Sequence, residues 1–188
     1  MEALLRSPKT VFTTKDIALL WGEASKNAAS VRLNNYVKAG KLTRVHRGIY
    51  AKDKNYNRFE LATRIYTPSY ISFETVLTRS GINFQYYGNI FVASYVTRDI
   101  VIDGQNISFI RMKDYVLANA TGVLHSDGIA MATKERAFLD RIYISKDYHF
   151  DVLDTLDWDK VFEILPIYSN KRMAKKTKEY FEYYKSNK

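Results

Sequence analysis

Residues 13–51 read TTKDIALLWGEASKNAASVRLNNYVKAGKLTRVHRGIYA, and this stretch decides the fold of the first part of the chain. Thr13 followed by Asp16 is a capping-box-like helix start, with the acid at the positive end of the helix dipole. The apolar set Ile17, Leu19, Leu20 and Trp21 follows, and Gly22 ends the helix. Glu23-Ala24-Ser25 is a polar connection. In KNAASVRLNNYVKAG, Ala29, Leu33, Tyr36 and Val37 recur at helical spacing, and Gly40 is the stop. Residues 41–45 and 48–51 then read as two short strands flanking His46-Arg47. Helix, connection, helix and basic hairpin in that order predict a winged helix-turn-helix.

The charge distribution gives this pattern a chemistry. The chain has 188 residues, 29 Lys and Arg against 20 Asp and Glu, and a net charge of +9. Residues 24–52 hold Lys26, Arg32, Lys38, Lys41, Arg44, Arg47 and Lys52 and no acid. Residues 53–170 are net acidic, and residues 171–188 return to seven basic against two acidic residues. Away from its apolar stripe the second helix offers Lys26, Asn27, Ser30, Val31 and Asn34. Small and amide side chains there suit base edges, Asn pairing with adenine in particular. Lys41, Arg44, His46 and Arg47 sit where a wing meets phosphate or the minor groove. With no carboxylate between Glu23 and Asp53, nothing in the stretch repels a duplex. Protein docking and a plain solvated face are the competing readings.

Beyond a polar break at 53–57 the pattern changes. Helices are expected over 58–66, 73–80, 133–144, 158–165 and 171–185. A strand is expected over 89–97, a hairpin turns at Asp103-Gly104, and a further strand follows Asp127-Gly128. The expected class is α+β: an N-terminal winged helix-turn-helix (1–52), then a mixed domain (58–188) of helices, a small antiparallel sheet and C-terminal helices. The last helix carries a stripe of Met173, Thr177, Tyr180, Phe181 and Tyr184. Lys171, Arg172, Lys175, Lys176 and Lys178 make a candidate second basic patch.

Several chemistries are disfavoured. Cysteine is absent, which removes disulfides, thiolate metal sites and thiol catalysis. No signal-peptide pattern and no run of about 20 apolar residues is present, so a soluble, cytoplasmic protein without membrane partners is expected. The phosphate-loop, dinucleotide and zincin motifs are missing. His125-Ser126-Asp127 reads as a turn, since adjacent residues cannot converge as a triad. Asp147, Asp151, Asp154, Asp157 and Asp159 could hold Mg²⁺, against a simpler reading as a solvated loop and helix-start acids. No catalytic residue, cofactor or metal is expected.

Three stretches together carry a family resemblance: VHRGIYA at 45–51, FELATRIYTPSYISFETVLTRSGI at 59–82 and ATKERAFLDRIYI at 132–144. In this order they resemble the AbiEi antitoxins of type IV abortive-infection toxin–antitoxin systems, which act in phage defence. The resemblance implies a repressor that binds inverted repeats in its own promoter. It also implies a functional partner, a nucleotidyltransferase-like toxin, neutralised without a stable complex. Tyr70, Ser72, Glu74, Arg136 and Asp140 form the candidate antitoxin site, with structural roles as the alternative. Two other functions stay open from the residues: a stand-alone regulator with a ligand- or partner-sensing second domain, and an enzyme using the aspartate cluster.

Overall fold

The computed structural model describes residues 2–23, 25–145 and 147–187, with the backbone alone at Lys26. The first unit runs α1 (Glu2–Arg6), β1 (Val11–Thr13), α2 (Thr14–Leu20), α3 (Lys26–Lys38), β2 (Thr43–His46) and β3 (Ile49–Ala51). Its sheet has the order β1-β3-β2, all antiparallel, so β3 is the central strand. Leu4, Phe12, Ile17, Leu33, Leu42 and Tyr50 form its core. Helices α2 and α3 and the hairpin lie where the sequence places them. α1 and β1 are additions to the expected pattern. Three strand residues show no periodicity of their own, and β1 is defined by its pairing with β3, Val11 with Ala51, Phe12 with Tyr50 and Thr13 with Ile49. The apolar set of α2 is also less buried than its spacing suggests: Ile17 is inside, while Leu19 is 72% and Leu20 42% exposed.

The second unit follows as α4 (Arg58–Ile65), β4 (Ser69–Ile71), α5 (Phe73–Arg79), β5 (Ile90–Ser94), β6 (Arg98–Ile102) and β7 (Gln105–Arg111). Then come α6 (Asp114–Leu117), β8 (Val123–Ser126), β9 (Ile129–Ala132), α7 (Lys134–Ile144), α8 (Trp158–Ile164) and α9 (Lys171–Ser186). The expected small antiparallel sheet is instead six strands of mixed direction, in the order β6-β7-β5-β4-β9-β8. β5 runs parallel to β7, and β4 parallel to β9. Strands that neighbour across a gap in sequence leave no local mark of direction, which is why only the hairpins are legible. Both Asp-Gly pairs make two-residue turns with positive φ at each position: 47° and 74° at Asp103-Gly104, 51° and 79° at Asp127-Gly128. These are the primed turns whose twist matches paired strands.

The polar break at 53–57 is not a free linker. Tyr56 is buried, and its hydroxyl donates to Asp103 Oδ2 at 2.6 Å. Glu60, only 2% exposed, accepts from Thr10 N (2.8 Å), Thr10 Oγ1 (2.8 Å) and Val11 N (3.2 Å). Val11, Ile49 and Ala51 from the first sheet share one apolar cluster with Tyr56, Leu61 and Ile102.

α9 closes the second core. Met173 and Thr177 are fully buried, and Tyr180, Phe181 and Tyr184 pack partly buried against the main cluster, as the stripe predicts. Phe181 lies 5.0 Å from Trp158 and 5.2 Å from Phe162, ring centre to ring centre. No helix among the described residues is long and apolar enough to cross a membrane.

Candidate nucleic-acid interface

Helix α2 starts on a reciprocal cap. Asp16 N donates to Thr13 Oγ1 at 3.1 Å, and Thr13 N donates to Asp16 Oδ2 at 2.8 Å. Burial alone would raise the Asp16 pKa. The Thr13 N–H and O–H together with Arg64 and Lys9 outweigh it and hold the carboxyl below its ordinary value. The chain reverses through Gly22, whose φ of 63° suits glycine. Ser25 then caps α3 by accepting from Ala28 N at 3.3 Å.

α3 buries Ala29 and Leu33 completely. Arg32 is turned aside: its guanidinium carbon lies 4.4 Å from the Trp21 ring centre and 5.9 Å from that of Tyr36. The outer face therefore presents exposed Asn27, Val31 (61% exposed) and Asn34, with Ser30 half-buried beside them. Lys26 is in the first turn of α3, but its side chain lies outside the described residues. Lys41, Arg44 and Arg47 are exposed. His46 is half-buried, with Nδ1 shielded from solvent and without a hydrogen-bond partner. The hairpin is tied to α2 because Thr14 N and Oγ1 both donate to Gly48 O, at 2.9 and 3.3 Å. Lys52 leaves the cationic face and donates to the carbonyls of Leu5 and Ser7 at the end of α1. What remains is an amide and methyl stripe on a helix, followed by a hairpin whose Arg44 and Arg47 are exposed and form no ion pair among the described residues, a chemistry suited to base edges and phosphates.

The candidate antitoxin residues behave differently. Arg136, Asp140 and Ser72 have no solvent exposure and Tyr70 has 3%. Arg136 Nε meets Asp140 Oδ1 at 3.2 Å, and its NH2 donates to Tyr70 Oη (2.9 Å) and Val116 O (2.8 Å). NH1 donates to Thr121 O at 2.7 Å. Asp140 accepts from Ser72 Oγ (2.7 Å), Tyr168 Oη (2.7 Å) and Tyr70 Oη (3.0 Å). Burial pushes the Asp140 carboxyl upward, against the pull of Arg136 and three hydroxyls. Burial and the Asp140 charge raise both tyrosines well above their usual range, so they stay protonated and donate. Ser72 precedes α5 but makes no cap bond, because its hydroxyl serves Asp140. Gly122 makes room: at φ 74°, a Cβ there would lie 2.9 Å from Arg136 Cβ and 2.8 Å from Ile164 Cδ1. Glu74 stands apart, paired with Arg141 at 3.2 Å. Four of the five residues thus meet in a closed core network that no partner can touch. Tyr168 completes it, and no local signal in the sequence marks that residue.

The other sequence-derived groups divide. On α9, Arg172 donates to the carbonyls of Ile142 and Tyr143 at the end of α7, both at 3.2 Å. Lys176 lies 3.4 Å from Glu179 and 3.8 Å from Asp147. Lys171, Lys175 and Lys178 are exposed. In the aspartate cluster, Asp157 caps α8 and Asp151 accepts from Phe84 N at 2.7 Å. Among the described residues, no three His, Cys, Asp or Glu side chains are grouped to hold a metal ion.

Residues 1–51 match the family model described as transcriptional regulator, AbiEi antitoxin. No curated protein matches the chain. The matched segment ends with β3, so it spans the first unit and stops before the second. Over that unit, the chain is similar to the AbiEi antitoxin transcriptional regulators.

Proposed function

We propose that the first unit, residues 1–52, is a winged helix-turn-helix that binds duplex DNA in the promoter of its own operon, at inverted repeats, and represses it. α3 enters the major groove and the β2–β3 hairpin is the wing. The observation that carries this reading is the exposed helical face of Asn27, Val31 and Asn34, followed in the chain by a hairpin with Arg44 and Arg47 exposed, in a stretch free of carboxylates from 24 to 52. The AbiEi match over the same residues supports it. Residues 58–188 are the antitoxin unit of a type IV system, acting in the cytoplasm against a nucleotidyltransferase-like toxin without a stable complex. This finer assignment rests on the resemblance of the residues between 59 and 144.

Fluorescence anisotropy on a promoter duplex, read at several salt concentrations, tests the DNA reading. Arg44→Ala and Arg47→Ala should each weaken binding and reduce the salt slope by about 0.9 for each phosphate no longer neutralised. Asn34→Ala should alter sequence preference instead. Unchanged affinity in the Arg44→Ala/Arg47→Ala double variant refutes this placement. The full-length double variant should still protect cells from the neighbouring toxin, and loss of protection refutes the division of labour.

A further inference from the structure

A second concave site lies away from the DNA face, where α4 leaves the junction. It is a cavity of about 500 Å³ bounded by the start of α4, one side of α5, the loop 86–90 and the turn after Gly104. Arg58 and Arg79 line it. Both are exposed, and neither guanidinium forms an ion pair among the described residues. Arg79 is held with its guanidinium carbon 5.0 Å from the Phe59 ring centre, and Arg58 donates to Asp103 O at 3.2 Å. Each is thus placed by one contact while most of its donors stay free. The positive end of the α4 dipole adds to the same sign. Glu74 is the one carboxylate among the described lining residues. It is 4% exposed and already paired with Arg141, so it does not cancel the two arginines.

Two tyrosines line the cavity as well. Tyr86 is 83% exposed, an unusual position for so large a ring in a chain that buries most of its aromatic surface, and Tyr87 stands next to it. Asn89 and Gln105 also line the cavity; their amide nitrogens already donate, to Ser108 Oγ and to the carbonyls of Gly88 and Asn106, so each offers its amide oxygen as an acceptor. A planar heterocycle stacks on tyrosine, amides read its edge, and paired guanidiniums take phosphate oxygens bidentately. The volume falls in the range that encloses one drug-sized molecule rather than a strand. We propose that this cavity binds a mononucleotide, a nucleoside carrying one or more phosphates, with Arg58 and Arg79 on the phosphates and Tyr86 on the base. The inference does not rest on DNA binding by α3, because no residue of the first unit lines the cavity.

Isothermal titration of the full chain with ATP, GTP, CTP and UTP tests it, with inorganic tripolyphosphate and an eight-nucleotide single strand as competing probes. The expected result is a Kd below about 1 mM for at least one nucleotide. That affinity should weaken at least about tenfold in Arg79→Gln, in Arg58→Gln and in Tyr86→Ala, each checked for native circular dichroism. It should persist in Arg44→Gln/Arg47→Gln, which removes the polyanion attraction of the DNA face. Absence of binding by all four nucleotides overturns the proposal. So does tripolyphosphate or the oligonucleotide binding as tightly as the best nucleotide with Tyr86→Ala silent, or binding that vanishes with Arg44 and Arg47 instead of Arg58 and Arg79.

Discussion

Replacing Asp140 with Ala removes the one carboxylate facing a guanidinium with no solvent exposure. Breaking such a buried pair costs about 3–5 kcal/mol, because the stranded charge keeps its desolvation penalty without its partner. Three hydroxyls, from Tyr70, Ser72 and Tyr168, lose their acceptor at the same time, which places Asp140→Ala toward the upper end. For a chain of this size each kcal/mol shifts Tm by about 2–4 °C, so the drop should be roughly 6–20 °C. Ser72→Ala and Tyr168→Phe each delete a single hydrogen bond to the charge and should cost about 1.5–3 kcal/mol. Arg136→Met/Asp140→Leu removes both charges and should recover part of the loss, since the guanidinium no longer needs a partner. Urea midpoints followed by circular dichroism give the four values. Asp140→Ala costing less than about 1 kcal/mol, or the double variant proving worse than Asp140→Ala, refutes the closed network.

Two further outcomes concern the capping box and the last helix. The Asp16 carboxyl sits below its ordinary value in the folded chain, so its contribution is present above about pH 3.8 and is lost as pH falls through the lower folded value. Asp16→Asn should therefore reduce stability at pH 7 and flatten the acid limb of the stability curve, and an acid limb that keeps its slope contradicts this origin. On α9, Met173→Ala at a fully buried site should cost about 2–5 kcal/mol, while Phe181→Ala at a half-buried one should stay below the roughly 3 kcal/mol of full aromatic burial. Denaturant melts that reverse this order contradict the observed face of the helix.

The sequence is most readable where structure is local. Thr13 and Asp16 cap each other within four residues, Thr133 caps α7, and Asp-Gly pairs turn hairpins, because each needs only its neighbours. It is least readable where a residue's role is set by something distant. Glu60 looks like an ordinary acid in the first turn of α4, yet it holds the backbone of Thr10 and Val11 some fifty positions earlier. Ser72 has the position of a cap but gives its hydroxyl to Asp140, 68 residues on. Tyr70, Ser72, Glu74, Arg136 and Asp140 are grouped at the sequence level by the family resemblance, and Glu74 turns out to stand apart. Whether such a group faces solvent depends on what covers it, here Tyr168 and the backbone of 116–121, and no spacing rule encodes that. Arg58, Arg79 and Tyr86 draw no attention for the converse reason: three loop and helix-edge residues scattered over 29 positions share a cavity only through tertiary structure.

The junction between the two units runs through α4. Glu60 fixes β1, and β1 pairs with β3, the strand that continues into the hairpin carrying Arg47. Arg64, one turn along the same helix, lies 3.6 Å from the Asp16 carboxylate that starts α2. Helix α4 therefore touches both the strand behind the hairpin and the helix that packs on α3. It begins at Asn57 and Arg58, and Arg58 also lines the cavity beside α5. The start of α4 is thus joined to the first unit by short hydrogen-bonded and ionic contacts. The polar contacts that cross between the units run from Asn57 and Glu60 to Thr10 and Val11 and from Arg64 to Asp16, while Tyr56 ties the connecting segment to Asp103 of the second unit.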